Sequence, residues 1–226
     1  MDTLTATFAS HGFVAVHQVI DDSVCAEVAK SLEPVASHGA GTRRLLEQPW
    51  CQDLARRVRT NSVVAELLPD DAVAVQCTVF DKSPSTNWLV ALHQDRSIPV
   101  RRRVEAAGLV GWSEKEGDIF VQPPASLLEQ LISVRVHIDP CPVESGALRV
   151  VPGSHLSGIL TGAESEKIRK LAGELVLPFS RGDALVLKPL LLHASSKASA
   201  SMQRRVLHFV FGPRQLPLGL EWQHAI

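Results

Sequence analysis

Residues 92–95 read Leu-His-Gln-Asp, which places a histidine and an aspartate two positions apart. In a β-strand successive side chains point to opposite faces, so His93 and Asp95 would stand side by side on one face. A metal site of this kind needs a third ligand, and His193 is the best candidate because it follows the apolar run 184–187. Two imidazoles and one carboxylate, with the other positions open, form the facial triad of non-haem Fe(II) oxygenases. The sequence therefore predicts an iron site formed by His93, Asp95 and His193.

Arg204 supports this prediction because it lies downstream of His193, at the start of a predicted strand. An iron oxygenase with a keto-acid cosubstrate needs a fixed cation for the distal carboxylate, and a guanidinium binds a carboxylate through two parallel hydrogen bonds. Taken alone, a His-x-Asp triplet is more often a surface pair, and His193 would more often be a core histidine with satisfied hydrogen bonds. The order of His-x-Asp, distal histidine and arginine favours the metal site over both alternatives.

The composition indicates a globular protein whose partner is a small molecule. The 226 residues are 45% hydrophobic and 21% charged, and the formal net charge is −1. A disordered chain would be less hydrophobic, and a general nucleic-acid-binding protein would carry a basic surface. A chain of this length can form one domain with a full core. We therefore expect a single domain over residues 1–226 that binds no nucleic acid and is a monomer or a homodimer.

The cysteines and the N-terminus favour a reduced, cytoplasmic compartment. The four cysteines show no Cys-x-x-Cys spacing, and residues 1–3 (Met-Asp-Thr) open with an acid instead of a basic segment followed by a long apolar stretch. No run approaches the ~18 consecutive apolar residues that a membrane span requires. We therefore expect a cytoplasmic protein with no membrane partner.

Helical spacing dominates the first third of the chain. An Asp-Asp-Ser sequence that can cap a helix precedes Val24, Val28 and Leu32, which recur at the spacing of one helix face. A second helix is predicted from about residue 52 to residue 68, where leucines and valines again form an apolar side. We place this helical flank mainly within residues 20–70.

From residue 72 onward the apolar period changes to that of β-strands. Val73, Val75, Cys77 and Val79 alternate with other side chains, which predicts one half-buried strand with these four on one face. Further short strands separated by Gly and Pro turns are predicted at residues 134–139, 148–151, 175–177, 184–187, 190–193 and 205–211. Helices followed by many short strands predict a mainly β fold, a jelly roll with flanking α-helices, whose core lies mainly within residues 72–212.

The last predicted strand presents Arg204 and His208 on one face and Arg205 on the other, more apolar face. We expect the first face to point into the barrel and Arg205 to lie at the exposed end of the second. Residues 96–111, in contrast, are predicted to form a long polar loop or lid. Four other histidines have no partner in motif spacing and are expected at the surface: His11, His17, His38 and His224.

Several segments of the chain match one known family. The most specific is 146–155, Gly-Ala-Leu-Arg-Val-Val-Pro-Gly-Ser-His, and the matching segments run through nearly the whole chain. They are residues 12–14, 82–84, 93–95, 122–124, 145–155, 182–184 and 193–195, together with Arg204. In these segments the sequence resembles the phytanoyl-CoA dioxygenase-like family of Fe(II)/2-oxoglutarate-dependent oxygenases. The resemblance implies a double-stranded β-helix, the cupin-like form of the jelly roll.

The resemblance also implies a set of ligands and an activity. His93, Asp95 and His193 would bind Fe(II), and the enzyme would use 2-oxoglutarate and O2 as cosubstrates and release succinate and CO2. The predicted cosubstrate residues are Arg204, Lys82, Ser195, Arg135 and Gln76. Halogenases of this general class leave the carboxylate position vacant for halide, so Asp95 favours hydroxylation or desaturation.

The substrate is predicted from residues that depart from the family pattern. Arg135 and His137 stand where the family usually has other residues, and strand alternation directs both into the barrel. An arginine is rarely buried without a partner, and Arg135 together with His137, His208 and Lys82 would leave a surplus of positive charge and hydrogen-bond donors. We therefore predict a small anionic or polar metabolite. The predicted substrate residues are His137, His208 and Gln94.

Three alternatives stay open at this point. Arg135 would also be satisfied by an acid such as Glu144 or Asp118 and would then only brace the cosubstrate. A cupin-like metal enzyme would share the barrel and the histidines but would not need Arg204 or consume 2-oxoglutarate. A catalytically silent small-molecule-binding barrel would keep the fold but would usually lose a metal ligand.

Overall fold

The computed structural model describes residues 3–34, 41–199 and 202–226. Its helices are α1 Thr3–His11, α2 Asp22–Leu32, α3 Pro49–Arg59, α4 Ser62–Leu67, α5 Ala125–Leu128 and α6 Gly162–Ala172. The helix predicted after residue 21 is confirmed as α2, where the Asp21 carboxylate accepts a hydrogen bond from the backbone N–H of Val24 at 2.9 Å. Within these described ranges, no helix has both the length and the apolar character needed to cross a membrane.

The strands of the described residues form three antiparallel sheets. They are β1 Phe13–Val16, β2 Val73–Lys82, β3 Val90–His93, β4 Ile98–Val100, β5 Val110–Lys115, β6 Asp118–Gln122, β7 Ile132–His137, β8 Leu148–Val150, β9 Leu175–Leu177, β10 Ala184–Leu187, β11 His193–Ser195 and β12 Arg204–Gly212. The major sheet has the order β1-β10-β7-β12-β2, the minor sheet β3-β11-β8-β9, and a third sheet β4-β6-β5. The mainly β jelly roll with flanking helices is therefore confirmed.

The helices cover the outer face of the major sheet. Leu207, Phe209 and Phe211 of β12 are buried in one cluster with Leu32 of α2 and Val58 of α3. Full burial of each such side chain stabilises the fold by roughly 1.5–3 kcal/mol. Because this face of the strand is fixed against the helices, the alternate side chains of β12 must point inward.

The inner face of the major sheet packs against the minor sheet. Leu185 and Leu187 of β10 share a buried cluster with Leu148 and Val150 of β8. This layer brings β11, which pairs with both β3 and β8, across from the inward face of β12. The space between the two sheets therefore receives side chains from β2, β3, β7, β11 and β12.

The predicted helix over residues 52–68 is wrong as a single helix. The chain forms α3 and α4 instead, because Asn61 interrupts the helical pattern and caps α4. The Asn61 side-chain oxygen accepts hydrogen bonds from the backbone N–H groups of Val63 and Val64 at 3.1 and 3.3 Å. An asparagine in this position competes with the helix for backbone hydrogen bonds and favours a new start.

The predicted loop over residues 96–111 is also wrong in part. It contains the whole of β4 and the first residues of β5, which join β6 in the third sheet. Ile98 and Val100 are buried in a cluster with Val121. The strand signal is short and surrounded by arginines, so the sequence pattern did not reveal a buried strand.

The face predicted for Val73, Val75, Cys77 and Val79 needs a correction. Val75 is an extra residue in the pairing of β2 with β12, which places Val73 and Val75 on the opposite side of the sheet from Cys77 and Val79. A β-bulge of this kind breaks the alternation because two residues of one strand oppose a single residue of its partner. The bulge directs Gln76 and the even-numbered residues that follow it towards the interior.

The most specific family segment, residues 146–155, contains β8, which pairs with the strand that carries His193. Gly146 has φ +74°, and a Cβ at this position would meet the backbone oxygen of Ser196 at 2.4 Å. The Ser154 hydroxyl donates to the Val151 carbonyl at 2.7 Å and accepts from the backbone N–H of Leu192 at 2.9 Å. The segment therefore holds the chain on both sides of β11.

Candidate active site

His93, Asp95 and His193 come together at the end of β3 and the start of β11. The two strands pair in the register that sets His193 opposite His93. Asp95 Oδ1 lies 3.6 Å from His93 Nε2, and Asp95 Oδ2 lies 3.7 Å from His193 Nε2. One donor atom from each side chain lies within 4.8 Å of the other two. The structure therefore brings the three predicted metal-binding side chains to a single point.

Both imidazoles are oriented by backbone carbonyls. The Nδ1 atoms of His93 and His193 lie 2.8 Å from the carbonyl oxygens of Ala91 and Leu191. A proton on each Nδ1 would donate to these oxygens and leave the Nε2 lone pairs directed at Asp95. Burial lowers the pKa of His193 to about 4, so its imidazole is neutral at pH 7. Burial acts to lower the pKa of His93, but the hydrogen bond and charge of Asp95 outweigh it and raise this pKa. A metal ion that replaces the proton on Nε2 would leave two neutral imidazoles and one carboxylate, donors that fit a divalent iron ion.

Asp95 keeps its charge in this setting. Burial acts to raise the pKa of Asp95, but His193, His93 and His208 outweigh it and hold this pKa well below its usual range. An ionised carboxylate is the form that binds a metal. The negative charge of Asp95 therefore favours the binding of a metal cation between the three side chains.

Arg204 lies on the inward face of β12, only 2% exposed. Its Nη1 lies 3.8 Å from the sulfur of Cys141, and its Nε has no hydrogen-bond partner among the described residues. Buried guanidinium groups are normally paired with an anion. The side chain lines the same cavity as the three metal-binding candidates, which fits a cosubstrate carboxylate placed between them.

Arg205 points to the other face, as predicted, but it is not at an exposed end. Its side chain is 15% exposed and forms two hydrogen bonds of 2.8 Å with the carboxylate of Asp139. The backbone N–H of Arg205 also donates to Asp139 at 2.9 Å. The two neighbouring arginines therefore differ sharply in their partners.

Lys82 and Ser195 lie next to Arg204. Lys82 is the residue opposite Arg204 in the pairing of β2 with β12 and is 1% exposed. Its ammonium donates to the Ser195 hydroxyl at 2.7 Å and to the Ser196 carbonyl at 2.6 Å. Burial and the charge of Arg204 lower the pKa of Lys82 to about 8. Ser195 lines the cavity, whereas Lys82 stands behind it and supports its hydroxyl.

Arg135 and His208 form a chain of contacts that ends at Asp95. Arg135 Nη1 lies 2.9 Å from His208 Nδ1, and its guanidinium lies 5.1 Å from the ring centroid of Phe80. An arginine only donates, so His208 Nδ1 accepts and the ring proton sits on Nε2, which is 3.7 Å from Asp95 Oδ2. Burial lowers the pKa of His208 to about 3, which keeps the ring neutral.

The alternative partners considered for Arg135 are not observed. Among the ion pairs of the described residues, none joins Arg135 to Glu144 or Asp118. The interpretation of Arg135 as a brace paired with one of these acids is therefore wrong. Its contacts are the imidazole of His208 and the aromatic face of Phe80.

Three further side chains that were predicted to bind cosubstrate or substrate are Gln76, His137 and Gln94, and their surroundings differ. Gln76 lines the cavity and donates to the Thr78 hydroxyl at 2.9 Å. His137 stacks on Phe179 with ring centroids 4.4 Å apart, and it is not among the described residues that line the cavity. Gln94 borders the cavity, but its side-chain amide is used elsewhere.

Gln94 holds backbone segments together. Its amide nitrogen donates to the carbonyls of Gly158 and Leu190 at 2.8 and 2.7 Å, and its oxygen accepts from the backbone N–H of Leu160 at 2.9 Å. Strand alternation explains this placement, because Gln94 must point away from the face that carries His93 and Asp95. These contacts give Gln94 a structural role, and His137 packs against Phe179. Substrate binding by either residue stays a prediction.

The cavity has a volume of about 380 Å³ and receives cations that the sequence did not indicate. These are Arg43, Arg96 and Lys115, beside Arg135 and Arg204. Arg43 comes before the first strand of the jelly-roll core, and the other two lie in or next to the segment predicted as a polar loop. Arg96 directly follows Asp95, whereas the approach of Arg43 and Lys115 depends on how the third sheet packs and is marked by no motif.

The remaining histidines do not join the site. His11 and His17 are exposed, His224 is half-buried, and His38 lies outside the described residues. His155 is buried, and its Nε2 lies 3.1 Å from the carbonyl oxygen of Ala9. This contact agrees with a structural role for the Pro-Gly-Ser-His end of the family segment.

Solved structures show the same fold. The apo form of EctD from S. alaskensis matches with a TM-score of 0.70 at 15% identity, over 98% of this chain and 81% of that chain. The non-haem alpha-ketoglutarate-dependent epimerase SnoN from nogalamycin biosynthesis matches with a TM-score of 0.67 at 18% identity, over 93% and 82%. HygX from Streptomyces hygroscopicus, with nickel and 2-oxoglutarate bound, matches with a TM-score of 0.66 at 16% identity, over 99% and 90%.

The fold and the grouped donor atoms thus define a double-stranded β-helix of the type found in non-haem iron enzymes. A family model for phytanoyl-CoA dioxygenase (PhyH) matches residues 8–206, and the chain belongs to this family. A comparison with curated protein sequences gave no match. The family uses Fe(II), 2-oxoglutarate and O2, so the cofactors predicted from the sequence are confirmed.

Proposed function

We propose that this protein is an Fe(II)- and 2-oxoglutarate-dependent dioxygenase that hydroxylates or desaturates a small polar or anionic metabolite and releases succinate and CO2. One observation carries the proposal. The donor atoms of His93, Asp95 and His193 converge in the same cavity as the buried guanidinium of Arg204, whose Nε has no hydrogen-bond partner among the described residues. When bound, the iron supplies the oxidising chemistry, and the protein supplies binding and orientation.

Each side chain has a proposed role in holding the reactants. His93, Asp95 and His193 bind the iron on one face, and Arg204 pairs with the distal carboxylate of 2-oxoglutarate. The Ser195 hydroxyl, held by the ammonium of Lys82, adds a hydrogen bond to the same carboxylate. Gln76 and Arg135 also line the cavity, opposite Val210 and His208 of β12.

The two alternative classes of protein are less well supported. A metal enzyme without 2-oxoglutarate would have no need of a buried guanidinium directed into the cavity, such as that of Arg204. A silent binding barrel would usually lose a metal ligand, whereas His93, Asp95 and His193 are all in place. Because SnoN is an epimerase, the choice of hydroxylation or desaturation for this chain is part of the proposal.

The proposed function is tested by the conversion of 2-oxoglutarate. Purified protein incubated with Fe(II), ascorbate, O2 and 2-oxoglutarate should form succinate, and a metal chelator should stop the reaction. A panel of anionic and polar metabolites should contain compounds that raise the rate and gain an oxygen atom or lose two hydrogens. Absence of iron-dependent succinate formation, with and without the panel, would contradict the proposal.

His208 should act as a positioning residue for the metal. Its Nε2–H faces Asp95 Oδ2 across 3.7 Å, and the loss of groups that orient metal ligands typically lowers metal affinity ~10–100-fold. We expect His208→Leu to weaken Co(II) binding about tenfold. The measurement is a competition titration of Co(II) against a chelator.

His208→Gln is the matched control because its amide N–H can stand near the position of Nε2. It should recover part of the affinity that His208→Leu loses. If His208→Leu binds Co(II) as tightly as the wild type, His208 does not position Asp95.

We also propose a reducing, cytoplasmic location. All four cysteines are buried and none forms a disulfide: Cys25, Cys51, Cys77 and Cys141. Disulfides are rare in reduced compartments, so unpaired cysteines agree with this proposal. The monomer or homodimer predicted from the sequence stays a prediction.

A further inference from the structure

The charged residues around the cavity are strongly unbalanced. Five cations among the described residues line it: Arg43, Arg96, Lys115, Arg135 and Arg204. Asp95 is the single acid in the same described lining. The whole chain is close to neutral, with a formal net charge of −1, so this concentration of cations is local.

The metal and the cosubstrate do not neutralise the excess positive charge of the cavity lining. Fe(II) is a dication and 2-oxoglutarate a dianion, so together they add no net charge to the cavity. Arg204 is assigned to the distal carboxylate, and Arg135 contacts the neutral ring of His208 and the face of Phe80. Arg43 is paired with Glu116, with Nη1 3.0 Å from Oε1.

Arg96 and Lys115 differ from Arg43, Arg135 and Arg204, whose polar partners are a carboxylate, an imidazole and the assigned cosubstrate. Within the described parts of the chain, neither side chain forms an ion pair with a carboxylate or a hydrogen bond to another residue. Lys115 Nζ lies 4.6 Å from the ring centroid of Phe120, which lines the cavity. Both cations are half-buried, so an anion placed between them and the interior would be partly shielded from water.

The position of the two cations relates them to the metal centre. Arg96 directly follows Asp95, and Lys115 ends β5 in the sheet that forms one wall of the cavity. Burial and the charge of Arg43 lower the pKa of Lys115, while Asp95 acts in the opposite direction. The ammonium group of Lys115 therefore interacts electrostatically with both Arg43 and Asp95.

We propose that Arg96 and Lys115 form an oxyanion-binding subsite that holds a carboxylate or phosphate group of the primary substrate. This inference rests on the proposed function and assigns the anionic part of the substrate to named residues. It assigns recognition of the anion to Arg96 and Lys115 in place of Arg135, His137 and His208, which strand alternation had predicted for this role. A cavity of about 380 Å³ is near the lower end of the ~300–1,000 Å³ range of ligand sites, so substrate and cosubstrate must both be small.

The subsite is tested by anion binding to the loaded protein. Wild-type protein is saturated with Ni(II) and 2-oxoglutarate and then titrated by calorimetry with inorganic phosphate or with acetate. Each anion should bind, more weakly as ionic strength rises. The loss of one charge-assisted hydrogen bond should weaken binding about tenfold or more, so we expect that effect in Arg96→Gln and in Lys115→Gln.

Arg102→Gln is the matched control. Arg102 is exposed, pairs with Glu221 at 3.1 Å and does not line the cavity, so the same loss of charge there should leave anion binding unchanged. Phosphate bound more tightly than acetate would indicate a phosphorylated substrate, and the reverse order a carboxylate.

The affinity for 2-oxoglutarate, measured in the same proteins, separates this inference from the proposed function. If the wild type binds 2-oxoglutarate but neither anion, or if the two variants lose 2-oxoglutarate affinity and keep anion affinity, the subsite proposal is wrong and the proposed function stands. If the wild type binds no 2-oxoglutarate, the proposed function itself fails.

Discussion

Replacing any one of His93, Asp95 and His193 by alanine is expected to abolish succinate formation. Each residue supplies one of three protein donor atoms, and their Nε2 and carboxylate oxygen atoms already face one another at 3.6 and 3.7 Å. Even the loss of a group behind a metal ligand costs ~10–100-fold in affinity or activity, so losing a ligand should reduce turnover by more than ~100-fold. Metal content and the rate of succinate release are the two measurements.

Asp53→Ala is a suitable control for Asp95→Ala. Asp53 is exposed on α3 and pairs with Arg56, three positions along the helix. A surface pair of this kind contributes about 0.2–1 kcal/mol, so activity and metal content should not change. Full succinate production by Asp95→Ala would contradict the assignment of the metal centre.

Arg204→Ala is expected to raise the KM for 2-oxoglutarate on the order of 100-fold, because it removes a bidentate, charge-assisted contact in a buried setting. Arg205→Ala should leave this KM nearly unchanged. Arg205 is paired with Asp139 on the other face of β12, so its removal should lower stability by about 1–3 kcal/mol instead. Steady-state kinetics and chemical unfolding distinguish the two effects.

The opposite ranking of the two KM effects would mean that the register of β12 is shifted by one residue. A slip of one position in β12 would exchange the two faces and carry Arg205 into the cavity. The burial of Leu207, Phe209 and Phe211 against the helices opposes such a slip. A larger KM effect for Arg205→Ala than for Arg204→Ala would therefore refute this register.

Local patterns were sufficient to predict that His93 and Asp95 lie together and which face of β12 carries Arg204. His93 and Asp95 are separated by two positions on an extended segment, and strand alternation alone places them together. Arg204 and His208 followed from the apolar character of the alternate residues of β12. These features depend on a period of two within one strand, which a sequence shows directly.

Features that depend on packing or on a single irregular residue were not predictable in the same way. The bulge at Val75 places Val73 and Val75 on the opposite face of the sheet from Cys77 and Val79. Asn61 divides one apolar helical pattern into two helices. Lys115 reaches the cavity through the third sheet, whose short strands lie within or beside the segment predicted as a loop. His137 has the predicted inward direction, but its neighbour Phe179 comes from a distant part of the chain.

In the proposed enzyme, 2-oxoglutarate binds at an iron held by His93, Asp95 and His193, with its distal carboxylate at Arg204. The most direct test of this arrangement is an anaerobic titration of the Fe(II)-loaded protein with 2-oxoglutarate, followed by visible absorption. A charge-transfer band should rise and saturate in the wild type, require far more 2-oxoglutarate in Arg204→Ala, and be absent in His93→Ala. A wild-type protein that contains one iron per chain and shows neither a band nor heat of binding with 2-oxoglutarate would contradict it.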